Sequence, residues 1–347
     1  MEPLLSLRDL SIAYDVDGGT VTAVDGATFD VPRGVIVGLV GESGCGKTTL
    51  ARSLTRVLAD NARITGGQAF FDGQDIMALP ERQMNALRWR KIAFIPQSAM
   101  NSLDPVYTIE SQLAEVLCKR GGLTRARAHV RSEELFEMVG LERGRLRDYP
   151  HQFSGGMRQR VAIALALALN PKLIVADEPV TALDVIVQRQ ILDQLRDLQK
   201  ELSVSVIIVT HDISVVAYVC DQVVVMYAGR VAETGAMRTT LTRPAHPYTM
   251  GLRNAFPDLK SAAGVLTPIE GAPPNLMHPP PGCRFAPRCP FAQARCTDSS
   301  PPLVQVDGDH LAACHRWQEA DVLRPLAALT QTWAIDIGAT EMGGAKS

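Results

Sequence analysis

The octapeptide Gly41-Glu42-Ser43-Gly44-Cys45-Gly46-Lys47-Thr48 fits the pattern G-x-x-x-x-G-K-[ST]. It lies between an apolar run ending at Val40 and a helical pattern beginning near Thr48, the strand–loop–helix setting that this motif requires. Glycines let backbone N–H groups curl around phosphate oxygens without a Cβ in the way, and the helix start adds partial positive charge. Lys47 would reach the β and γ phosphates, and Thr48, followed by Thr49, would set a hydroxyl on Mg²⁺. Arginine supplies most of the 35 basic residues, and Lys47 is the only lysine before position 91, so a lysine at this point stands out. Cys45 sits among the loop amides and beside Lys47, which would lower its thiol pKa and expose it to alkylation, unless it is an inert small filler.

Outward from this loop, apolar runs of strand length alternate with helical patterns. Residues 35–40, 91–95, 173–176 and 204–209 read as buried strands, being short, rich in β-branched residues and bounded by Gly, Pro or acids. Helices are expected over 49–58, 108–117, 131–139, 157–169 and 187–202. The alternation predicts an α/β fold with a largely parallel sheet. From about 101 to 148 there are helical patterns without strong strands, which suggests a helical insertion. The run Leu173-Ile174-Val175-Ala176-Asp177-Glu178 ends in two carboxylates, the expected partner of a phosphate loop: Asp177 can help hold Mg²⁺ and Glu178 can polarise a water. Ser154-Gly155-Gly156, just before a helix, offers a hydroxyl and unobstructed backbone donors, a second anion site in the same chain.

Bulk composition limits the rest. The 347 residues, 46% hydrophobic and with a net charge of -2, can bury a sizeable core in more than one domain, and they give no electrostatic reason to bind nucleic acid. The longest apolar run, residues 161–169, is too short to span a bilayer, and the N-terminus reads as no secretory signal, so a cytosolic chain is expected. Thirteen of the 22 prolines fall between Pro244 and Pro302, which places a boundary near residues 240–257 before a loop-rich module without long helices.

Together and in this order, the motifs resemble the ATPase subunit of an ATP-binding cassette (ABC) transporter over about residues 5–256. The resemblance implies a P-loop NTPase cassette at 1–255, with a RecA-like core, an antiparallel β subdomain and a helical subdomain at about 98–155. A Pro-rich module at 256–330 and a disordered tail at 331–347 would follow. It also implies roles: Tyr14 stacking on adenine, Gly41 to Thr48 as the Walker A loop, and Gln97 as the Q-loop residue on Mg²⁺. Ser154-Gly155-Gly156-Met157-Arg158 would be the signature motif, Asp177 and Glu178 the Walker B end, Asp184 the D-loop acid and His211 the switch histidine. Taken singly, Tyr14 also reads as a surface tyrosine, Gln97 as a strand cap and His211 as a structural histidine. Phe153 and Met157 depart from the family's commonest signature, which has Leu and Gln there, a form often found in peptide importers.

Near the C-terminus Cys283, Cys289, Cys296 and Cys314 cluster among prolines and glycines. In a reducing compartment this suggests a metal more than disulfides. Neither inner spacing is the C-x2-C of zinc ribbons, and Cys289-Pro290 suits an iron–sulfur cluster, with zinc as the alternative. With Ala245-His246-Pro247-Tyr248-Thr249, the module resembles the extension of oligopeptide and dipeptide importer ATPases, where four cysteines bind a [4Fe-4S] cluster in some members. The resemblance implies ATP, Mg²⁺ and that cluster as cofactors, and placement on the cytoplasmic face of the inner membrane. The partners would be a second ABC ATPase subunit, two transmembrane permeases and an extracytoplasmic binding protein, and no nucleic acid. Import of nickel or another small solute, or a soluble non-transport ABC ATPase, are the competing readings.

Overall fold

The computed structural model describes residues 2–254 and 268–333. The chain divides into two compact units, Met1–Val231 and Ala232–Ser347, and passes from one to the other within a single strand. The boundary expected at 255/256 falls at the edge of residues 255–267, and most of the expected tail is residues 334–347; both stretches lie outside the described residues.

In the first unit, β1 (Leu5–Val16), β2 (Gly19–Val31), β4 (Ala62–Phe71) and β5 (Gln74–Asp75) form an antiparallel sheet in the order β2–β1–β4–β5. A second sheet is parallel: β3 (Ile36–Val40), β6 (Ile92–Ile95), β7 (Leu173–Asp177), β8 (Ser205–Thr210) and β9 (Gln222–Tyr227) in the order β9–β3–β8–β7–β6. Every residue of β3, β7 and β8 is buried, as expected of continuous apolar strands covered on both faces. Helices α1 (Lys47–Ser53) and α7 (Ile213–Val219) pack against this sheet, α2 (Glu81–Leu87) precedes β6, and both the phosphate loop and the Asp177–Glu178 pair leave the sheet at the C-terminal ends of its strands.

Between β6 and β7 the described residues contain no strand. This insertion carries α3 (Ile109–Glu115), α4 (Arg125–Met138) and α5 (Gly155–Leu167). α4 begins well before the expected Arg131, capped by the Thr124 side chain. Arg125 and Arg127 in its first turn oppose the helix dipole and hid the start from sequence reading. The helix expected at 108–117 ends at Glu115 and widens into a π-helical turn, Val116–Arg120.

In the second unit β10 (Arg230–Ala236), β11 (Val304–Asp307) and β12 (His310–Ala312) are antiparallel, with β12 between the others. The rest is short helices and turns. Its centre is a buried carboxylate: Glu233 accepts from the amides of Ala245 (2.7 Å) and His246 (3.0 Å) and lies 2.6 Å from His310 Nε2.

Candidate functional site

The phosphate loop leaves β3 and returns as α1. Gly46 caps that helix at φ 97, and a Cβ there would come within 2.1 Å of Ala23 O, so both conformation and space demand glycine. Lys47 is 6% exposed, and its ammonium donates to Gly41 O (2.7 Å) and Glu42 O (2.9 Å), folding its charge inside the loop. Cys45 Sγ lies 3.6 Å from Lys47 Nζ, yet burial outweighs that cation and holds the thiol above its ordinary pKa. Of the two readings of Cys45, burial favours the inert filler over the activated thiol. Tyr14 comes from β1, and its hydroxyl lies 3.0 Å from Thr49 Oγ1, which sets the ring beside the loop.

Thr48 donates to Asp177 Oδ1 at 3.1 Å. The other oxygen, Asp177 Oδ2, is buried with no hydrogen-bond partner, and burial raises the carboxyl's pKa. A buried, half-satisfied carboxylate beside a threonine hydroxyl fits a hard divalent cation, which would supply the missing charge.

Next to it, Glu178 collects three donors. Gln97 Nε2 donates to Oε2 at 2.9 Å, Thr181 Oγ1 to the same oxygen at 3.0 Å, and His211 Nδ1 lies 2.9 Å from Oε1. Burial opposes ionisation, but these hydrogen bonds outweigh it and hold the carboxyl below its ordinary pKa. The backbone here is strained: Glu178 (φ 48) and Ala182 (φ 65) are left-handed non-glycines, a conformation costing about 1–3 kcal/mol each. Gln97, Glu178 and His211, all expected site residues, meet here; Thr181, a hydroxyl three residues past Glu178, was not among those expected.

The expected second anion site, Ser154, Gly155 and Gly156, lies at the start of α5. Ser154 Oγ accepts from Met157 N at 3.3 Å, a plain N-cap. A Cβ on Gly156 would lie 2.6 Å from Val187 Cγ1, so that glycine lets α5 abut α6 (Val185–Leu202), which Asp184 caps by accepting from Val187 N at 2.9 Å. The unusual Phe153 and Met157 share a partner that the sequence did not suggest. Arg145 stacks 4.6 Å from the Phe153 ring centroid, its Nη1 donates to Met157 Sδ at 3.4 Å, and it also donates to Gln152 O at 2.9 Å.

In the second unit the four expected cysteines line one cavity of about 20 Å³ together with His246, Pro247 and Phe285. That is room for about one water. None of the seven cysteines forms a disulfide, and burial pushes Cys289 and Cys314 up to about 12. Among the described residues no group of three or more His, Cys, Asp or Glu is arranged to hold a metal ion. The thiols are thus gathered on one cavity, and the Glu233 hydrogen bonds hold Ala245, His246 and His310 in the same unit.

The comparisons agree with this layout. The family model for "ABC transporter" matches residues 24–181, and that for "Oligopeptide/dipeptide transporter, C-terminal region" matches residues 232–296. The oligopeptide transport ATP-binding protein OppD of Salmonella typhimurium is 46% identical over 315 residues, 90% of this chain and 93% of the relative. The dipeptide transport ATP-binding protein DppD of Bacillus subtilis is 42% identical over 317 residues, 90% of this chain and 95% of the relative. Among solved structures, the ATP-binding cassette MJ0796, a dimer in a post-hydrolysis state bound to ADP and Pi, matches with a TM-score of 0.61 and 28% identity, covering 67% of this chain and 99% of that one. The chain belongs to the ATP-binding subunits of ABC transporters, in the oligopeptide/dipeptide transporter family.

Proposed function

We propose that this chain hydrolyses ATP to power import of peptides through a membrane ABC transporter. The observation that carries the reading is Glu178, a buried-edge carboxylate held ionised by three donors beside the Thr48–Asp177 pair with its unsatisfied oxygen. ATP phosphates would displace the Gly41 and Glu42 carbonyls from Lys47, and the loop amides would cradle them. Thr48, Asp177 and Gln97 would hold Mg²⁺, which supplies charge for the departing phosphate. Glu178 would then orient and deprotonate the attacking water, and His211 would contact the γ-phosphate. Tyr14 would stack on adenine. Ser154, Gly155 and Gly156, with Asp184, would serve the nucleotide of a second ATPase subunit, identical or homologous, so that closure of the pair completes each site.

Among the described residues no helix is long and apolar enough to cross a membrane, so we assign translocation to two permease subunits and solute capture to an extracytoplasmic binding protein. The working place would be the cytoplasmic face of the inner membrane. We assign residues 1–255 to the cassette and 256–330 to the accessory module. Cys283, Cys289, Cys296 and Cys314 are proposed as ligands of a [4Fe-4S] cluster; their gathering on one cavity supports this, and loading would require the thiols to deprotonate and draw together. Iron and sulfide analysis after anaerobic purification tests it, and colourless protein carrying stoichiometric zinc rejects it.

The main test is Glu178→Gln. ATP binding by equilibrium dialysis should persist while steady-state phosphate release falls by about 10²–10⁴-fold. Turnover near wild type would overturn the assignment.

A further inference from the structure

We propose that Thr181 is a positioning residue for hydrolysis: its hydroxyl fixes one oxygen of the Glu178 carboxylate and so sets the direction from which that carboxylate meets the attacking water. The proposal rests on the reading of Glu178 as the group that acts on water.

Three donors hold Glu178, but they are not equivalent. Gln97 reaches it from a segment 81 residues away and His211 from one 33 residues away. Both belong to loops that follow strands of the parallel sheet, and either can leave when its loop shifts. Thr181 is three residues along the same turn. Its amide donates to Glu178 O at 3.3 Å while its hydroxyl donates to Glu178 Oε2 at 3.0 Å. One residue therefore clips both the backbone and the side chain of Glu178. A loop movement that withdraws Gln97 or His211 leaves this clip in place.

The surrounding backbone explains why a clip is needed. Glu178 and Ala182 are both left-handed at the two ends of the turn, and such strain persists only where neighbouring interactions over-determine it. On the strand side, Glu178 N donates to Val209 O at 2.8 Å, which anchors the main chain but leaves the side chain free to rotate. The Thr181 hydroxyl, donating to the same oxygen as Gln97, restricts that rotation from within the turn itself. Positioning of this kind acts on the transition state, since a small misdirection of a reacting group lowers rate without weakening ground-state binding.

The test uses the purified full-length chain with Thr181→Val, which keeps the shape and removes the donor, and Thr181→Ser, which keeps the donor. Thr181→Val should lower kcat for ATP about tenfold to a hundredfold with KM changed less than about twofold, and Thr181→Ser should retain kcat within about threefold of wild type. In a Glu178→Gln background, Thr181→Val should add no further loss of single-turnover rate, because the hydroxyl acts through that carboxylate. Should the valine variant unfold, Thr181→Ala takes its place in the same measurements. Wild-type kcat in the valine or alanine variant overturns the proposal, as does a serine variant as slow as the valine one, or a full additional loss in the Glu178→Gln background. An inactive Glu178→Gln beside an unimpaired Thr181→Val rejects Thr181 alone, whereas an active Glu178→Gln rejects the underlying reading.

Discussion

Around Glu178, donors from three segments converge on one carboxylate and keep it charged; around the cavity of the second unit, four thiols converge with burial keeping Cys289 and Cys314 protonated. The first site is preset by the chain's own hydrogen bonds, with Asp177 Oδ2 buried and without a hydrogen-bond partner. The second gathers four thiols, and a bound metal would have to displace the protons that burial keeps on Cys289 and Cys314. Burial alone therefore makes a group neither a ligand nor a catalyst. What matters is whether the fold also provides partners that favour the needed protonation state.

The largest expected effect that would sharpen this contrast is at Asp177. Replacing the half-satisfied carboxylate by an amide, Asp177→Asn, should lower Mg²⁺-dependent phosphate release roughly a hundredfold or more while the second unit melts as before. A titration of turnover against Mg²⁺ reads it, and unchanged turnover would break the assignment of that oxygen to the cation.

A second test concerns acid. His246 is 3% exposed, accepts from Tyr248 N at 3.0 Å, and burial lowers its pKa to about 4. Its folded pKa thus lies below the unfolded value of about 6.5. Stability from keeping it neutral is complete above about pH 6.5 and is lost as pH falls towards 4, because the unfolded chain takes up a proton that the native chain refuses. The second unit of the metal-free chain should lose about 3 kcal/mol over that window. Hydrogen exchange followed separately on peptides of the two units would show it; equal loss in both units would remove the contrast.

The smallest effect is at Cys45. Buried and with its pKa raised, it should react with iodoacetamide at least about tenfold more slowly than the partly exposed Cys118, with or without MgATP. Peptide mapping after timed alkylation measures both, and fast, MgATP-protected labelling of Cys45 would restore the activated thiol.

Much of the site was readable because its parts are local. A phosphate loop, an acid-ended strand and a glycine pair before a helix each have short-range signatures, and the four parallel strands first recognised are continuous apolar runs. What escaped depends on partners distant in sequence or on broken periodicity. The period-two pattern of β1 is interrupted by register shifts between Leu7 and Leu10 and again near Ile12. Glu233 reads as an ordinary strand acid until His310 arrives from 77 residues away. Arg145 looks like one arginine among many, yet it joins the two unusual signature residues. Thr181 was near enough to see, but only the left-handed turn aims its hydroxyl back at Glu178.

The contact between Gly156 and Val187 leaves no clearance for a single methyl group. In mechanical terms, the two helices mesh there like a tooth in a slot. The α6 tooth follows directly from the turn that carries Glu178, and the α5 slot is the signature glycine itself. A side chain at that glycine would have to push Val187 or the helices apart, because a close-packed contact holds no spare room for it.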